Sequence, residues 1–235
     1  MGEDRYGGQA YKVFCKVMDT KIVFAEISST SGDINSDWFG LLSIEKQEKI
    51  NKFKFDIDCK LSLYTELIVR YQICKELNFL NEEIVFSKNQ NGKPFLLNNP
   101  EFKFNISHTR NALVVAFSDS EIGIDIESIK PIDLQIANRF FTSSEQEYIN
   151  SHDNPDYAFY EVWTKKEAYI KYIGTGLSTP LNSFDVMDSK INSMLNTYTA
   201  NKYVISTCCS ESTIKKQILN IMTENELYML FDKII

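Results

Sequence analysis

Stretches of alternating hydrophobic and polar residues, separated by helical patterns, run along the first half of the chain. Helices are predicted over 43–53, where Ser43 is a suitable cap, and over 61–77, where apolar residues recur at helical spacing. The stretch EIVFSKNQNGKPFLL indicates a hairpin that turns at Asn91-Gly92. Strands are predicted at AYKVFCKVM and TKIVFAEIS, around a turn at Asp19-Thr20, and at FKFNIS and ALVVAFS.

The second half begins with the stretch IGIDIES at 122–128. Only DSE separates it from ALVVAFS, so these two strands are predicted to be antiparallel neighbours. Thr142 and Glu145 form a capping-box pattern, and a long helix is predicted from the cap Asn154 to a stop at Gly174. Strands at SFDVM and KYVISTCCS and a final apolar segment follow. Because strands and helices are clustered, the fold class α+β is favoured over alternating α/β.

Composition narrows the classes of protein that these patterns allow. The 235 residues are 43% hydrophobic, which supports a folded core, and the net charge of −7 disfavours a general nucleic-acid-binding surface. The longest apolar runs are too short to span a bilayer, the N-terminus lacks a signal-peptide pattern, and the five cysteines are scattered. We expect a cytoplasmic monomer without nucleic-acid or membrane partners.

An acidic pair stands out in IGIDIES. Its isoleucines would cover a core, and Asp125 and Glu127 would share the opposite face of the strand, about 7 Å apart. Like charges on one face of a strand repel each other, so the pair is unfavourable without a partner. One explanation is the solvated face of an edge strand. The other is a site for Mg²⁺, which prefers carboxylate oxygen ligands.

The predicted long helix carries a glutamate that could complete such a site. Trp163, Glu167 and Lys171 are spaced so that they lie along one side of the helix. The simplest alternative is a Glu–Lys pair on the helix surface, which stabilises a helix only slightly. Three further polar side chains are candidates for a site: Lys93 in the turn NGKP, and Ser107 and His108 near the strand end in NISHT. The alternative for Lys93 is an ordinary hairpin tip, and the alternative for His108 is a buried histidine with a structural role.

Four short motifs are more specific together than singly. In order, NGKP, NISHT, GIDIE and WTKKEAYIK resemble the motifs of the 4′-phosphopantetheinyl transferases, in particular the Sfp type that activates peptide and polyketide synthases. The stretches KPIDLQIANRFFTSSE and GTGLSTPL also resemble that family. The resemblance covers residues 43–185 and is weakest before 43 and after 190.

The resemblance implies an enzyme that transfers the 4′-phosphopantetheine arm of coenzyme A (CoA) to a serine of an apo acyl or peptidyl carrier protein. Such a holo-carrier synthase releases 3′,5′-ADP. The resemblance also implies Mg²⁺, or Mn²⁺ in its place, held by Asp125, Glu127 and Glu167 against the CoA pyrophosphate. Glu167 could also take the serine proton, and Lys171 would pair with the pyrophosphate. The sequence does not separate the base role of Glu167 from its ligand role.

CoA contacts are assigned by the same resemblance. Two basic residues three apart lie near the CoA 3′-phosphate in the family, and Lys46 and Lys49 match that spacing. A further family arginine is out of register here by one residue, and Lys60 is the nearest candidate. The side chains that would meet the nucleotide and its phosphates are Lys93, Ser107 and His108.

The resemblance also implies two similar α+β halves. They would be related by a pseudo-two-fold axis, with the active site between them. Residues 1–120 would hold the basic CoA region and the GKP and SH motifs. Residues 121–235 would hold the metal site, the catalytic helix and a carrier docking surface around 159–178. Two alternatives stay open: a Mg²⁺-dependent phosphodiesterase acting on nucleotides, in which water replaces the serine, and a CoA-binding protein that has lost its activity.

Overall fold

The structure is a computed structural model that describes residues 19–28, 35–210 and 217–234, without the side chain of Leu177. The predicted strand AYKVFCKVM lies outside these residues. The strands are β1 (Thr20–Glu26), β2 (Phe86–Lys88), β3 (Pro94–Leu96), β4 (Lys103–Thr109), β5 (Ala112–Ser118), β6 (Ile122–Ser128), β7 (Leu195–Ala200), β8 (Tyr203–Cys209) and β9 (Gln217–Met222). The helices are α1 (Ser36–Gly40), α2 (Ile44–Ile50), α3 (Asp56–Leu77), α4 (Ala137–Phe140), α5 (Ser143–Ser151), α6 (Pro155–Ile173), α7 (Ser189–Asn192) and α8 (Glu224–Phe231).

One order of elements, a strand, a long helix and two further strands, occurs twice along the chain. In the first half these elements are β1, α3, β4 and β5, and in the second they are β6, α6, β7 and β8. In each half the last strand lies between the other two and is antiparallel to both, giving β4-β5-β1 and β7-β8-β6. The predicted α+β fold with two similar halves is therefore confirmed.

Alternating burial along the strands explains how the halves are stacked. In β5, Leu113 and Val115 face the core beneath α3, whereas Val114 and Ala116 face the isoleucines of β6. The two sheets therefore share an apolar interface, and each long helix covers an outer face. The isoleucines of IGIDIES are fully or almost fully buried in this interface, as the alternation predicts: Ile122, Ile124 and Ile126.

Helix ends follow the predicted capping signals. The side chain of Asn154 accepts a hydrogen bond from the backbone N–H of Tyr157, Pro155 occupies the first turn of α6, and Gly174 ends the helix with φ of +69°. Thr142 and Glu145 form the expected capping box of α5. Helix α3 begins at Asp56, five residues before the predicted start. Its first turn contains Asp56 and Asp58, whose negative charges favour a helix N-terminus.

Two strand predictions are wrong. β6 does not pair with β5 but with β8, because β4 and β1 occupy both edges of β5. The stretch SFDVM is not a strand, since residues 181–183 form a 3₁₀ turn and the next residues are irregular. In place of a neighbouring strand, the Lys166 ammonium donates hydrogen bonds to the backbone carbonyls of Leu181 and Phe184, at 2.7 Å each.

The end of the described chain returns to the first half. β9 pairs in parallel with β1, and α8 buries Leu227 and Phe231 in the core beneath α3. The first sheet thus has the order β4-β5-β1-β9. The division into residues 1–120 and 121–235 stays a prediction. Over residues 19–28, 35–210 and 217–234, none of the helices combines the length and apolar character needed to cross a bilayer.

Candidate active site

The acidic strand β6 lies between the edge strand β4 and helix α6, and both donate hydrogen bonds to Asp125. Ser107 Oγ and Lys171 Nζ each lie 2.7 Å from Asp125 Oδ1, and Lys171 also donates to the carbonyl of Ile124 at 3.0 Å. Asp125 is 6% exposed. Side chains from NISHT, GIDIE and WTKKEAYIK, which are far apart in the sequence, therefore meet at one carboxylate.

Two further carboxylates lie in the electrostatic field of Asp125. Burial raises the pKa of Glu127, and the negative charge of Asp125 raises it further. The same two causes raise the pKa of Glu167, and the Lys171 ammonium partly opposes them. Thr109 donates to Glu127 Oε2 at 3.3 Å, which also opposes the rise. The carboxylates predicted as metal ligands thus carry negative charge that the protein compensates only in part.

These oxygen donors suit a hard divalent cation, although they are not arranged as a preformed ligand set. Within the part of the chain that the structure describes, no group of three or more His, Cys, Asp or Glu side chains could hold a metal ion. Instead, the Lys171 ammonium supplies positive charge at Asp125. Mg²⁺ is usually bound through one or two carboxylates together with substrate phosphates, which fits such a partly assembled site. The metal assignment stays a prediction.

The NGKP turn contacts the end of helix α6. Lys93 Nζ donates to the carbonyl of Lys171 at 2.9 Å, to the carbonyl of Ile122 at 3.1 Å and to Glu121 Oε2 at 3.1 Å. Asn91 Nδ2 donates to the carbonyl of Gly174 at 2.7 Å. The last carbonyls of a helix lack intrahelical partners. Side chains of this hairpin, which belongs to the other half of the molecule, donate hydrogen bonds to them. Lys93 is therefore engaged by protein groups, and its CoA contact stays a prediction.

His108 and Lys46 lie near each other beside the first-half helices. Partial burial lowers the pKa of His108, and the positive charges of Lys171 and Lys46 contribute to this. The side chain of His108 is nevertheless exposed. Lys46 Nζ lies 3.2 Å from Glu66 Oε2, and Lys49 is exposed on the last turn of α2. Lys46 and Lys49 thus supply positive charge, and the His108 imidazole a hydrogen-bonding group, for an anionic ligand.

Lys60 is placed differently from the other predicted CoA contacts. It is 5% exposed within α3, and its ammonium lies 3.7 Å from Glu224 Oε1 at the start of α8. This ion pair links α3 to the last helix of the described chain. The assignment of Lys60 to CoA stays a prediction, and its ion pair with Glu224 does not support it.

Comparison with known proteins assigns the family. Residues 34–120 match the family described as 4′-phosphopantetheinyl transferase, N-terminal, and residues 121–222 match the 4′-phosphopantetheinyl transferase superfamily. The 4′-phosphopantetheinyl transferase Sfp of Bacillus subtilis is 38% identical over 158 residues, which are 66% of this chain and 70% of that protein. The chain belongs to the 4′-phosphopantetheinyl transferase superfamily. This membership makes it an enzyme of the transferase class.

Other members of the superfamily are similar over the same extent. The 4′-phosphopantetheinyl transferase gsp of Aneurinibacillus migulanus is 39% identical over 163 residues, covering 68% of this chain and 67% of that protein. The transferase psf-1 of Bacillus pumilus is 40% identical over 145 residues, covering 61% and 62%. The chain thus spans about two thirds of the length of these relatives. The solved Thermotoga maritima holo-[acyl-carrier-protein] synthase is 16% identical at a TM-score of 0.32, over 37% of this chain and 61% of that one.

Two polar residues of this candidate site were not predicted from the sequence. Asn105 Oδ1 accepts a hydrogen bond from the backbone N–H of Ile124 at 2.9 Å, and Thr109 reaches Glu127. The signal was available, because KFNISHT places polar side chains at alternate positions of a strand, and such positions share one face. A cleft of about 230 Å³ lies elsewhere, and no predicted site residue lines it; its lining is Leu134, Gln135, Ala137, Asn138, Gln146, Ile149 and Asn150.

Proposed function

We propose that this protein transfers the 4′-phosphopantetheine group of CoA to a serine hydroxyl of an apo carrier protein. The observation that carries the proposal is the meeting of Ser107, Asp125 and Lys171, which come from three family motifs, at the boundary between the halves. Names of relatives with up to 40% identity support the same reaction class. The proposal includes a cytoplasmic location and a monomer.

The proposed CoA site combines basic and hydroxyl side chains from both halves. Lys46, Lys49 and His108 would receive the 3′-phosphate, and Ser107, Lys93 and Lys171 would contact the nucleotide and the pyrophosphate, with Lys60 as a further candidate. CoA carries about four negative charges at neutral pH, whereas the chain carries a net charge of −7. Binding therefore depends on basic groups being concentrated locally, and Lys46 is close enough to His108 to lower its pKa.

The reaction forms a bond between the serine oxygen and the phosphorus that bears pantetheine. The bridging P–O bond of the pyrophosphate breaks, and 3′,5′-ADP leaves. Asp125, Glu127 and Glu167 would hold Mg²⁺, which neutralises developing phosphate charge when bound. Glu167, whose pKa is raised, would accept the serine proton, and the Lys171 ammonium would stabilise the negative charge of the leaving group.

Carrier docking is proposed near the end of α6. Ile173, in the last turn of that helix, is 38% exposed and supplies an apolar contact close to Lys171. Carrier proteins of the family are generally acidic and present an apolar helix, which suits an apolar contact beside positive charge. Leu177, a further residue expected there, has a side chain outside the described part of the chain.

The test is conversion of purified apo carriers to the holo form, followed by intact mass. With CoA and Mg²⁺, at least one acyl or peptidyl carrier should gain one phosphopantetheine group. A carrier whose acceptor serine is changed to alanine is the control and should gain nothing. If no carrier is converted while CoA is hydrolysed, the enzyme is a phosphodiesterase. If CoA binds and remains intact, the protein is a binding protein. Either result contradicts the proposal.

A further inference from the structure

Three side chains at alternate positions of β4 contact successive points along β6. Asn105 Oδ1 accepts from the backbone N–H of Ile124 at 2.9 Å, Ser107 donates to Asp125 at 2.7 Å, and Thr109 donates to Glu127 at 3.3 Å. Alternate residues of a strand share one face, so this face of β4 is directed at β6. We call Asn105, Ser107 and Thr109 the polar ladder.

The polar ladder links two strands that belong to different sheets of the described chain. β4 pairs with β5, and β6 pairs with β8, so each is an edge strand of its own sheet. The apolar interface between the sheets is non-directional and does not by itself fix how far one strand slides along the other. Directional hydrogen bonds from three ladder residues can fix it. The register of β6 relative to the first half therefore depends on side chains of β4.

Each hydroxyl of the ladder contacts one carboxylate and leaves acceptor capacity for a cation. Ser107 donates to Oδ1 of Asp125, and Thr109 donates to Oε2 of Glu127. A carboxylate offers two oxygens with about four acceptor positions, so the one hydrogen bond to Glu127, or the two to Asp125 from Ser107 and Lys171, orient the group without saturating it. Outer partners of this kind orient metal ligands, and losing one typically lowers metal affinity by about 10–100-fold.

We infer that Thr109 is a positioning residue that orients Glu127 for the divalent cation, acting with Ser107 as the polar ladder. The inference rests on the proposed function, in which Asp125 and Glu127 are metal ligands. Thr109 stands at the end of β4 and is only partly buried, so changing it should perturb the core little. Its hydroxyl, not its methyl group, should matter, because only the hydroxyl donates to Glu127.

The test measures binding of Mn²⁺ to the full chain in the presence of CoA by electron paramagnetic resonance, which does not depend on turnover. Thr109→Val keeps the side-chain shape and removes the donor, so the Mn²⁺ dissociation constant should rise by about tenfold. Thr109→Ser keeps the donor and should bind Mn²⁺ like the unchanged protein. Thr199→Val, at an exposed position of β7, is the matched control and should also bind normally.

Stability and kinetics separate positioning from a general structural role. The unfolding midpoint of Thr109→Val should stay close to that of Thr109→Ser, and the half-saturating Mg²⁺ concentration should rise while the carrier KM stays unchanged. If Thr109→Val destabilises the protein, Thr109→Ala removes the same hydroxyl and replaces it in the Mn²⁺ measurement. Unchanged Mn²⁺ affinity in Thr109→Val, or equal losses in the Val and Ser variants, would overturn the inference. Failure of the unchanged protein to modify any carrier would instead reject the proposed function.

Discussion

Gly123 of β6 lies directly against the backbone of Ala168 in α6. A Cβ atom at position 123 would lie 2.0 Å from the carbonyl oxygen of Ala168 and 2.5 Å from the backbone nitrogen of Tyr172. Real Cβ atoms do not approach backbone this closely, so glycine is required by the close contact of helix and strand. That contact brings Lys171 within reach of Asp125.

Gly123→Ala should therefore destabilise the protein strongly. The added methyl group can be accommodated only if α6 moves away from β6, and overpacking of this kind costs about 1–3 kcal/mol or more. Denaturant unfolding measures the loss. Gly40→Ala is the matched control, because a Cβ atom there meets none of the described residues within 4 Å and alanine is favoured in a helix. Equal unfolding free energies for the two variants would contradict the contact.

The carboxylates should make the metal-free protein less stable as the pH rises. The pKa of Glu167 is raised in the folded state above its ordinary value of 4.5. Below that value the group is protonated in both states. As pH rises through the window between the unfolded and folded pKa values, the folded state holds its proton longer, and stability falls. Above the folded pKa the penalty is complete.

Glu167→Gln removes this penalty. In the presence of a chelator the variant should be more stable than the unchanged protein at neutral pH, and the difference should shrink as the pH falls towards 4.5. Unfolding by denaturant across this range is the measurement. Glu147→Gln, at an exposed position of α5, controls for the change in net charge. If the stability gained from Glu167→Gln is smaller at neutral pH than at pH 4.5, the predicted direction of the pH dependence is wrong.

A buried ion pair next to Glu167 should be one of the most sensitive positions for folding. Lys166 and Glu145 are both 0% exposed and lie 2.8 Å apart, and Glu145 also accepts from the backbone N–H of Val186. Burial lowers the pKa of Lys166, and Glu145 opposes this. Lys166→Met would leave an uncompensated buried carboxylate, at a cost of about 3–5 kcal/mol.

Denaturant unfolding of single and double variants tests this pair. Adding Glu145→Gln to Lys166→Met should recover part of the lost stability, because the amide oxygen can still accept from Val186 without a charge. Lys202→Ala, which breaks a surface pair with Glu26, is the control and should leave the midpoint almost unchanged. If the double variant is no more stable than Lys166→Met alone, the uncompensated charge is not the cause.

We expect the main contribution of Lys93 to be to the stability of the fold. Its ammonium contacts Glu121 and two backbone carbonyls, and hydrogen bonds to a charged group contribute about 1.5–3 kcal/mol each. Lys93→Met should lower the unfolding free energy and reduce kcat by displacing Lys171. Calorimetric titration with CoA decides the predicted CoA contact separately. An unchanged unfolding free energy together with weaker CoA binding would show that the contacts with α6 contribute little.

Local sequence signals predicted much of this fold because the features they describe are local. The caps of α6 depend on Asn154 and Gly174, and the core face of β6 depends on alternation alone. The neighbour of β6 could not be predicted in this way, because pairing with β8 joins residues about 80 positions apart. The meeting of Ser107 with Asp125 is likewise a tertiary contact, which the motifs suggested only through a family resemblance.

Rate measurements can separate the two roles of Glu167. If it is only a metal ligand, Glu167→Gln retains a coordinating oxygen, and high Mg²⁺ or Mn²⁺ should restore most of the rate. If it is also the general base, the variant should stay about 10²–10⁴-fold slower even with the metal bound, because the amide accepts no proton. We expect the second result. Full rescue, with metal occupancy measured in parallel, would refute the base role.

The central claim is that the serine of a carrier, not water, attacks the CoA pyrophosphate at the meeting point of Ser107, Asp125 and Lys171. The most direct measurement is the ratio of 3′,5′-ADP released to holo carrier formed, with and without an apo carrier. Transfer predicts a ratio of one, and no 3′,5′-ADP beyond the background without the carrier. Release of 3′,5′-ADP that continues in the absence of a carrier, or exceeds the holo product, would contradict the account.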